Sequence, residues 1–270
     1  MTGPAPDGLF DVIVLAASRG PDDPMARAFD APHKCLIEVA GTPMLARVIA
    51  ALVASPSAAR IVISVEEPSV IDRALGGADF AACRDRVSFV ASRDRASASV
   101  AAAADHLGFQ RPVLVTTADH ALLSPEMVTF FCEAAMEGGA DVAVGLESAD
   151  ILLGAYPDAR RTFIRFSDGR YSGCNLFALV NADAMRAVEF WRHVERERKK
   201  PWRLARAFGW RLLLAYLFGV FSLDRAMTEV SRVVGVRATA VRMPFTDAAI
   251  DVDKPEDLEA VERILAGRPV

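Results

Sequence analysis

The sequence contains little cysteine, and none of it forms a paired metal-binding or redox motif. The four cysteines are separated by 42 to 49 residues and stand at Cys35, Cys83, Cys132 and Cys174. This spacing argues against a zinc knuckle and against a compact disulfide framework. We therefore expect four isolated thiols, which is typical of a reduced cytoplasmic protein.

The sequence also lacks an excess of positive charge and a membrane-spanning run. Lysine and arginine number 31 against 35 aspartate and glutamate, a net charge of −4, so we expect no nucleic-acid partner. The longest apolar run, residues 212–223, is too short to cross a bilayer as a helix. Residues 1–10 have neither the basic nor the apolar region of a signal peptide, so we predict a cytoplasmic location.

The sequence does contain a regular alternation of strand-like and helix-like segments. Apolar residues make up 52% of the 270 residues, enough for a substantial core. The alternation predicts βαβ units and an α/β fold with a mostly parallel twisted sheet flanked by helices. The predicted strands of the first half are residues 11–17, 60–65, 87–91, 112–117 and 141–146, and its helices are 44–54, 68–75, 97–107 and 124–137.

The second half changes character but shows no linker that would separate a domain. Strands are predicted at 162–166 and 174–180, flanking a turn at Asp168-Gly169, and helices from residue 183 onward. We predict a single domain over residues 1–270 with a helical insertion at 183–233. Two helix starts are also predicted, with Thr42 as N-cap before Pro43 and Ser124 as N-cap before Pro125.

The loops after the first and fourth strands are the places to search for a site, because ligands of parallel sheets bind at the carboxyl ends of strands. The first loop, Leu15-Ala16-Ala17-Ser18-Arg19-Gly20, matches neither a Walker loop nor a dinucleotide fingerprint. Its small residues, with Arg19 and Lys34 as cations, suit a triphosphate. An ordinary loop with scattered charges is the alternative interpretation.

Three motifs in order resemble the sugar-phosphate and cofactor nucleotidyltransferases, and the molybdenum-cofactor guanylyltransferase-like branch in particular. They are LAASRG followed by PHKCLIEVAGTPML, then Thr117-Ala118-Asp119-His120, then the segment 249–258, AIDVDKPEDL. The sequence departs from the family pattern where Ser18 replaces a glycine, where His33 separates Pro32 from Lys34, and where no proline follows Asp119. The resemblance implies a glycosyltransferase-A-like, Rossmann-like nucleotidyltransferase fold.

The resemblance also implies roles for residues of the first half and of the closing segment. The nucleotide is expected at Leu15, Ala16, Ala17, Ser18, Arg19, Gly20, Lys34 and Thr117. Lys34, Arg19 and Asp119 are expected to be catalytic, with Mg²⁺ bound by Asp119 and by the pair Asp251 and Asp253. The spacing leaves open which member of that pair contacts the metal. These carboxylates follow apolar strand-like runs, and Mg²⁺ favours one or two carboxylates together with substrate phosphates. As alternatives, Asp119 is a turn carboxylate and Asp253 caps the helix that starts at Pro255.

The acceptor site is expected in the second half of the sequence. Arginines cluster around residues 160–170, and guanidinium groups bind phosphate and carboxylate in a bidentate manner. We predict a small phosphorylated acceptor of the phosphoglycerate type, with CTP favoured as the nucleotide. The predicted acceptor residues are Arg161, Arg165, Gly173, Asn175 and His120, although each arginine also fits a solvated basic hairpin and His120 a structural histidine.

Residues 192–221 combine basic side chains with tryptophan, phenylalanine and leucine. This composition suits peripheral contact with the inner face of an anionic membrane. A helix packed on the sheet or in a homodimer interface is the preferred interpretation of the same residues. The apolar part, 204–223, is left open between lipid, partner subunit and core.

The leading functional hypothesis is a Mg²⁺-dependent nucleotidyltransferase, with a cytidylyltransferase preferred. A guanylyltransferase of the molybdenum-cofactor or phospholactate type shares the chemistry. A glycosyltransferase using a nucleotide-sugar is a second alternative, because Asp251-Val252-Asp253 matches a DxD motif. A nucleotide-binding module without turnover is the third.

Overall fold

A computed structural model of the chain describes residues 10–18, 20–76, 83–197 and 221–267. The chain divides into two units, of which the first comprises residues up to 130 together with 250 onward, and the second comprises residues 131–249. Arg19 and residues 198–220 lie outside the described residues, and so does most of the predicted 192–221 segment. In the described part, no helix is long and apolar enough to cross a membrane.

The first unit contains a parallel sheet in the strand order β6-β1-β4-β5. Its strands and helices are β1 Phe10–Leu15, α1 Pro24–Ala28, β2 Glu38–Val39, β3 Thr42–Pro43, α2 Met44–Ala54, β4 Ala58–Val65, α3 Pro68–Leu75, β5 Val87–Ala91, α4 Ala96–Leu107 and β6 Val113–Thr117. The last element of this unit is helix α9, Pro255–Ala266. Helix α5, Pro125–Glu137, spans the boundary between the two units, which lies between residues 130 and 131.

The second unit contains β7, which pairs in parallel with β10 and antiparallel with β9, while β8 pairs antiparallel with β9. The elements are β7 Val142–Ser148, α6 Ala149–Ala155, β8 Ile164–Phe166, β9 Gly169–Leu179, α7 Met185–Glu197, α8 Leu223–Val234 and β10 Ala238–Met243. The β8–β9 hairpin confirms a turn between two strands here, but the turn lies at Ser167-Asp168, one residue before the predicted Asp168-Gly169, because Gly169 pairs with Phe166. Helix α7 falls within the predicted insertion at 183–233, and α8 ends one residue beyond it.

The apolar periodicity of the sequence explains these elements. Residues 10–14 of β1 are fully buried, as expected of a strand covered on both faces. Helix α2 buries Met44, Leu45, Val48, Ile49 and Leu52, which lie on one side of a 3.6-residue repeat. The predicted fold class, an α/β protein with a mostly parallel sheet flanked by helices, is confirmed. The four cysteines are free, as predicted, and all four are buried.

The predicted N-cap at Thr42 is wrong, because Thr42 and Pro43 form strand β3 opposite Glu38 and Val39. The two turn residues, Ala40 and Gly41, both have positive φ, which suits a two-residue hairpin of the type I′ kind. Helix α2 starts without a side-chain cap. The N–H of Met44 donates instead to the carbonyl of Ile37 at 3.0 Å, so a backbone acceptor does the work of the cap. The prediction for Ser124 is confirmed, since its Oγ accepts from Met127 N at 3.3 Å.

A buried charge anchors the amino end of β1. Asp11 is fully buried and accepts from Nε and Nη2 of Arg60, and Nη1 of Arg111 lies 3.5 Å from its Oδ1. A carboxylate removed from water requires such partners, since an unpaired buried charge is strongly destabilising. Strand β1 leads directly into the loop at residues 15–20, so this ion pair also supports the start of that loop.

Replacing Arg60 by methionine should therefore lower the free energy of unfolding by about 2 kcal/mol or more, because Asp11 would lose both guanidinium hydrogen bonds and keep only the backbone N–H of residue 60 at 3.3 Å and its longer contact with Arg111. Urea denaturation measures the change. The matched control is Arg84→Met, which removes an arginine from an exposed pair with Asp72 and should cost less than about 0.5 kcal/mol. Equal losses in the two variants would contradict this role of Arg60.

Candidate active site

Three segments of the first unit meet at the carboxyl edge of its sheet. Strands β1 and β6 end side by side, with Leu15 paired to Thr117 and the N–H of Ala118 donating to the carbonyl of Leu15 at 2.9 Å. The N–H of Val252 donates to the carbonyl of Asp119 at 3.0 Å, which brings the segment before α9 to the same edge. Motifs that are more than a hundred residues apart in sequence are therefore neighbours.

Lys34 joins the two carboxylates that this edge presents. Its Nζ lies 2.7 Å from Oδ2 of Asp119 and 2.7 Å from Oδ1 of Asp253. The side chains of Lys34 and Asp119 are 17% and 20% exposed, whereas that of Asp253 is 61% exposed. Burial alone lowers the pKa of the Lys34 ammonium, but the charges and hydrogen bonds of Asp119 and Asp253 outweigh it and raise the pKa above its usual range. Lys34 is therefore a fixed positive charge at neutral pH.

The start of α9 holds Asp253 in place. Oδ2 of Asp257 accepts from the N–H of Asp253 at 3.1 Å and from the N–H of Lys254 at 2.9 Å. A carboxylate in the first helical turn is also favoured by the helix dipole. Of the two predicted metal ligands in the closing motif, Asp253 contacts Lys34, while Asp251 is half-buried. The assignment of both to a metal stays a prediction.

Asp119 has a second oxygen, which bears on a metal. Its Oδ1 is buried and accepts no hydrogen bond from the residues that the structure describes. Buried carboxylate oxygens without a partner are rare and call for an explanation, of which a bound cation is one. The described residues contain no group of three or more His, Cys, Asp or Glu side chains able to enclose a metal. Two converging carboxylates fit Mg²⁺, which commonly takes one or two carboxylates and completes its shell with substrate phosphates and water.

The loop after β1 presents small residues at this edge. Ala16 is buried, Ala17 is exposed and Ser18 is half-buried, and Gly20 has a φ of +75°, which favours glycine. Arg19, which was predicted to be catalytic, lies outside the described residues. Thr117 is half-buried at the end of β6, next to Leu15 in register. The nucleotide-binding roles of these residues stay predictions.

Glu66 connects two of the predicted segments, and the sequence analysis did not single it out. Its Oε1 accepts from the N–H of Ser18 at 2.9 Å, and its Oε2 lies 3.0 Å from Nε2 of His33. Nδ1 of His33 accepts from the N–H of Cys35 at 3.3 Å, so in the neutral ring Nε2 carries the proton and donates it to Glu66. Glu66 directly follows β4, the strand beside β1, and its position after an apolar strand was the available signal.

His120 was predicted to contact the acceptor. It is almost fully buried, at 1% exposure, and its N–H donates to the carbonyl of Thr117 at 3.4 Å, within the turn that carries Asp119. It thus lies one residue from the Lys34 cluster in the chain. Its acceptor role stays a prediction.

The other predicted acceptor residues all lie in the second unit. Arg161 donates from Nη2 to the carbonyl of Ala249. Arg165 is exposed on β8 opposite Arg170. Gly173 is exposed on β9, and Asn175 has a positive φ of 51° at an irregularity in the β7–β9 pairing. Within this unit, Arg165, Gly173 and Asn175 lie on β8 and β9, whereas Arg161 precedes β8 and contacts the backbone of Ala249. Their role in acceptor binding stays a prediction.

Glu147 is a second residue that the sequence analysis missed. It is fully buried on β7, where Oε2 accepts from the N–H of Ala249 at 2.7 Å and Oε1 has no partner among the described residues. Burial raises the pKa of Glu147 to about 7, against the opposing effects of the Ala249 N–H and the Arg161 charge. Glu147 and Arg161 thus bind the backbone N–H and the backbone carbonyl of Ala249, respectively. A single glutamate at the end of an apolar strand was the only sequence signal.

Two solved structures share this architecture. A hypothetical transferase from Thermus thermophilus is 29% identical and has a TM-score of 0.75, over 93% of this chain and 99% of that one. The 4-diphosphocytidyl-2C-methyl-D-erythritol synthase of Anaerococcus prevotii is 13% identical with a TM-score of 0.56, over 96% of this chain and 97% of that one, a likeness of fold. No protein of curated function matches the chain.

The fold, with the cluster of Lys34, Asp119 and Asp253 at the carboxyl edge of its parallel strands, is that of a nucleotidyltransferase. The chain belongs to the MobA-like NTP transferase domain family, which it matches over residues 12–168. The match spans the loop at 15–20, Lys34 and Asp119, and it confirms the resemblance on which the sequence analysis relied.

Replacing Glu147 by glutamine gives a test by pH. The folded-state pKa of about 7 lies above the ordinary value of 4.5, so the folded protein binds the proton more tightly than the unfolded chain. Glu147 should then lower the free energy of unfolding progressively as pH rises from about 4.5 through 7. We therefore expect the free energy of unfolding of Glu147→Gln, measured by urea denaturation, to rise relative to that of the unchanged protein. The difference should grow by roughly 2 kcal/mol from pH 5 to pH 8.

The control is Glu189→Gln, which removes an exposed carboxylate on α7 of the same unit. This surface substitution should change the free energy of unfolding by less than about 0.5 kcal/mol. A Glu147→Gln difference that is independent of pH would mean that Glu147 is ionised normally in the folded protein.

Proposed function

We propose that the protein transfers a nucleoside monophosphate from a nucleoside triphosphate to a small phosphorylated acceptor. A phosphate oxygen of the acceptor attacks the α-phosphorus, the new P–O bond forms, and the bond from the α-phosphorus to the bridging oxygen breaks. Pyrophosphate leaves with the electron pair of that bond. The single observation that carries this proposal is the Lys34–Asp119–Asp253 cluster, which lies at the edge of the sheet where β1 ends and the loop at residues 15–20 begins.

Lys34 is the residue that meets the reacting phosphate in this proposal. Charge builds up on the α-phosphate as the acceptor oxygen approaches, and a permanently charged ammonium offsets it. Phosphoryl-type transfers need little covalent help from the protein, so positioning and charge neutralisation supply most of the catalysis. The raised pKa of Lys34 keeps the ammonium protonated throughout the neutral range.

Asp119 and Asp253 would hold a Mg²⁺ ion. Bound there, the ion would neutralise phosphate charge and help orient the triphosphate. The two carboxylates would supply anionic oxygens on one side of the ion. The buried Oδ1 of Asp119, which has no hydrogen-bond partner among the described residues, is well suited to bind a cation. Asp257 fixes the backbone on which Asp253 sits, and the Val252 N–H fixes that segment to Asp119.

The loop at residues 15–20 would receive the phosphates. Ala16, Ala17 and Gly20 allow backbone N–H groups to approach an anion closely, and Arg19 would add a charge opposite the leaving pyrophosphate. Glu66 holds the loop at Ser18 and the Lys34 segment at His33, so one side chain sets the distance between the two.

For the substrates, we propose CTP and a phosphorylated acid. The support is the group of arginines in the second unit, which suits a multiply anionic acceptor, and the shared fold with a 4-diphosphocytidyl-2C-methyl-D-erythritol synthase. Guanylyl transfer is the second candidate, and the match to the MobA-like family over residues 12–168 favours it.

Asp119→Asn should lower the rate of pyrophosphate release by about 10²-fold or more, because it removes one of two anionic ligands opposite the phosphates. The assay incubates the protein with each of the four triphosphates, Mg²⁺ and phosphoglycerate or other small phosphorylated acceptors, and it follows pyrophosphate. Glu126→Gln is the control, since it makes the same chemical change at an exposed residue of α5.

The proposal requires release that depends on both a triphosphate and a phosphorylated acceptor. An Asp119→Asn variant as active as Glu126→Gln would overturn the role of Asp119. A protein that binds triphosphates but releases no pyrophosphate with any acceptor would be a binding module.

A further inference from the structure

The position between Asp119 and Asp253 is occupied by the side chain of Lys34. One ammonium group makes two hydrogen bonds of 2.7 Å, one to each carboxylate. The carboxylates that would hold a metal in the proposed function are therefore already neutralised in part by a cation of the chain itself. The remaining oxygen of Asp119 is buried and has no hydrogen-bond partner within the described residues.

A divalent cation and this ammonium compete for the same oxygens. Two positive charges a few ångströms apart repel each other strongly at a half-buried site, where water screens them poorly. A metal that enters while Lys34 bridges the carboxylates would also have to replace hydrogen bonds that stabilise both acids. A divalent cation without nucleotide should therefore bind weakly to this carboxylate pair.

The backbone of Lys34 is fixed, but its side chain can move. Lys34 begins a short turn, Lys34–Leu36, in which the N–H of Leu36 donates to the carbonyl of His33 at 3.0 Å and the N–H of Ile37 to that of Lys34 at 3.1 Å. A lysine side chain is a flexible four-carbon stem with a point charge at its end. The ammonium can therefore exchange one anion for another without a change in the fold.

We propose that Lys34 is the counter-cation of this carboxylate pair in the nucleotide-free protein, and that it excludes a free divalent cation until the phosphates of a nucleoside triphosphate draw it away. This inference rests on the proposed function, because it takes Asp119 and Asp253 as the metal ligands. Metal and nucleotide then enter together, and the lysine passes from the acids to the phosphates. The site is not loaded with metal before the substrate arrives.

The test is binding of Mn²⁺ alone, in the absence of nucleotide, followed through the paramagnetic resonance signal of the free ion. Lys34→Met should bind Mn²⁺ at least about tenfold more tightly than the unchanged protein, because the competing charge is gone and two carboxylates are left unpaired. Adding Asp119→Asn to Lys34→Met should abolish this gain.

Lys254→Met is the matched control. It removes the same charge from the residue next to Asp253, but Lys254 is exposed and its charge is screened by solvent and salt. Its Mn²⁺ affinity should change by less than about threefold. If Lys34→Met does not fold, Lys34→Gln provides the same comparison with a polar side chain.

Three results would overturn the inference. They are Mn²⁺ binding to the unchanged protein as tight as to Lys34→Met, equal gains in Lys34→Met and Lys254→Met, and a gain that survives Asp119→Asn. If any of them occurs while the unchanged protein still releases pyrophosphate, the inference fails and the proposed function stands. If the gain appears but no triphosphate and acceptor react, the competition stands and the proposed function fails.

Discussion

Two carboxylates held close together at the edge of a sheet need a positive charge between them, and much of the first unit is arranged around that requirement. Asp119 and Asp253 are 134 positions apart in the sequence, and the Lys34 ammonium bridges them. Without a cation between them, the two negative charges would repel each other at an edge where Asp119 is largely buried. The site is thus a cation site first, and its chemistry follows from which cation occupies it.

The parallel strands explain why these charges meet. Parallel strands all end at the same edge of their sheet. The loops after β1, β4 and β6 are therefore adjacent in space, although helical crossovers separate these strands in the sequence. Each loop contributes a different function there. The loop after β1 offers small residues, that after β4 offers Glu66, and that after β6 offers Asp119. The segment before α9 adds Asp253, held by Asp257 and by the backbone bond from Val252.

The sequence was sufficient for the order of the longer strands and helices in the first unit, although not for α1 and β3, and together with the family resemblance it was sufficient for the three charges of the cluster. Apolar runs define β1, β4 and β6, and motifs that follow such runs must lie at the carboxyl edge. Contacts that depend on distant partners were not predictable in this way. Glu66 forms hydrogen bonds with Ser18 and His33, and Glu147 forms one with Ala249. These partners are 33 to 102 residues away in the sequence. The N-cap prediction for Thr42 failed for a local reason, because a hairpin turn with positive φ at Ala40 competed with the helix start.

The most direct test of the account is a crystal structure with Mn²⁺ and a non-reacting triphosphate analogue, using the anomalous signal of manganese to locate the ion. The account predicts one manganese peak at about 2.0–2.3 Å from carboxylate oxygens of both Asp119 and Asp253. It also predicts that Lys34 Nζ has left the acids and lies within hydrogen-bond distance of a phosphate oxygen. A Lys34 that still bridges both carboxylates, with manganese bound elsewhere, would contradict it.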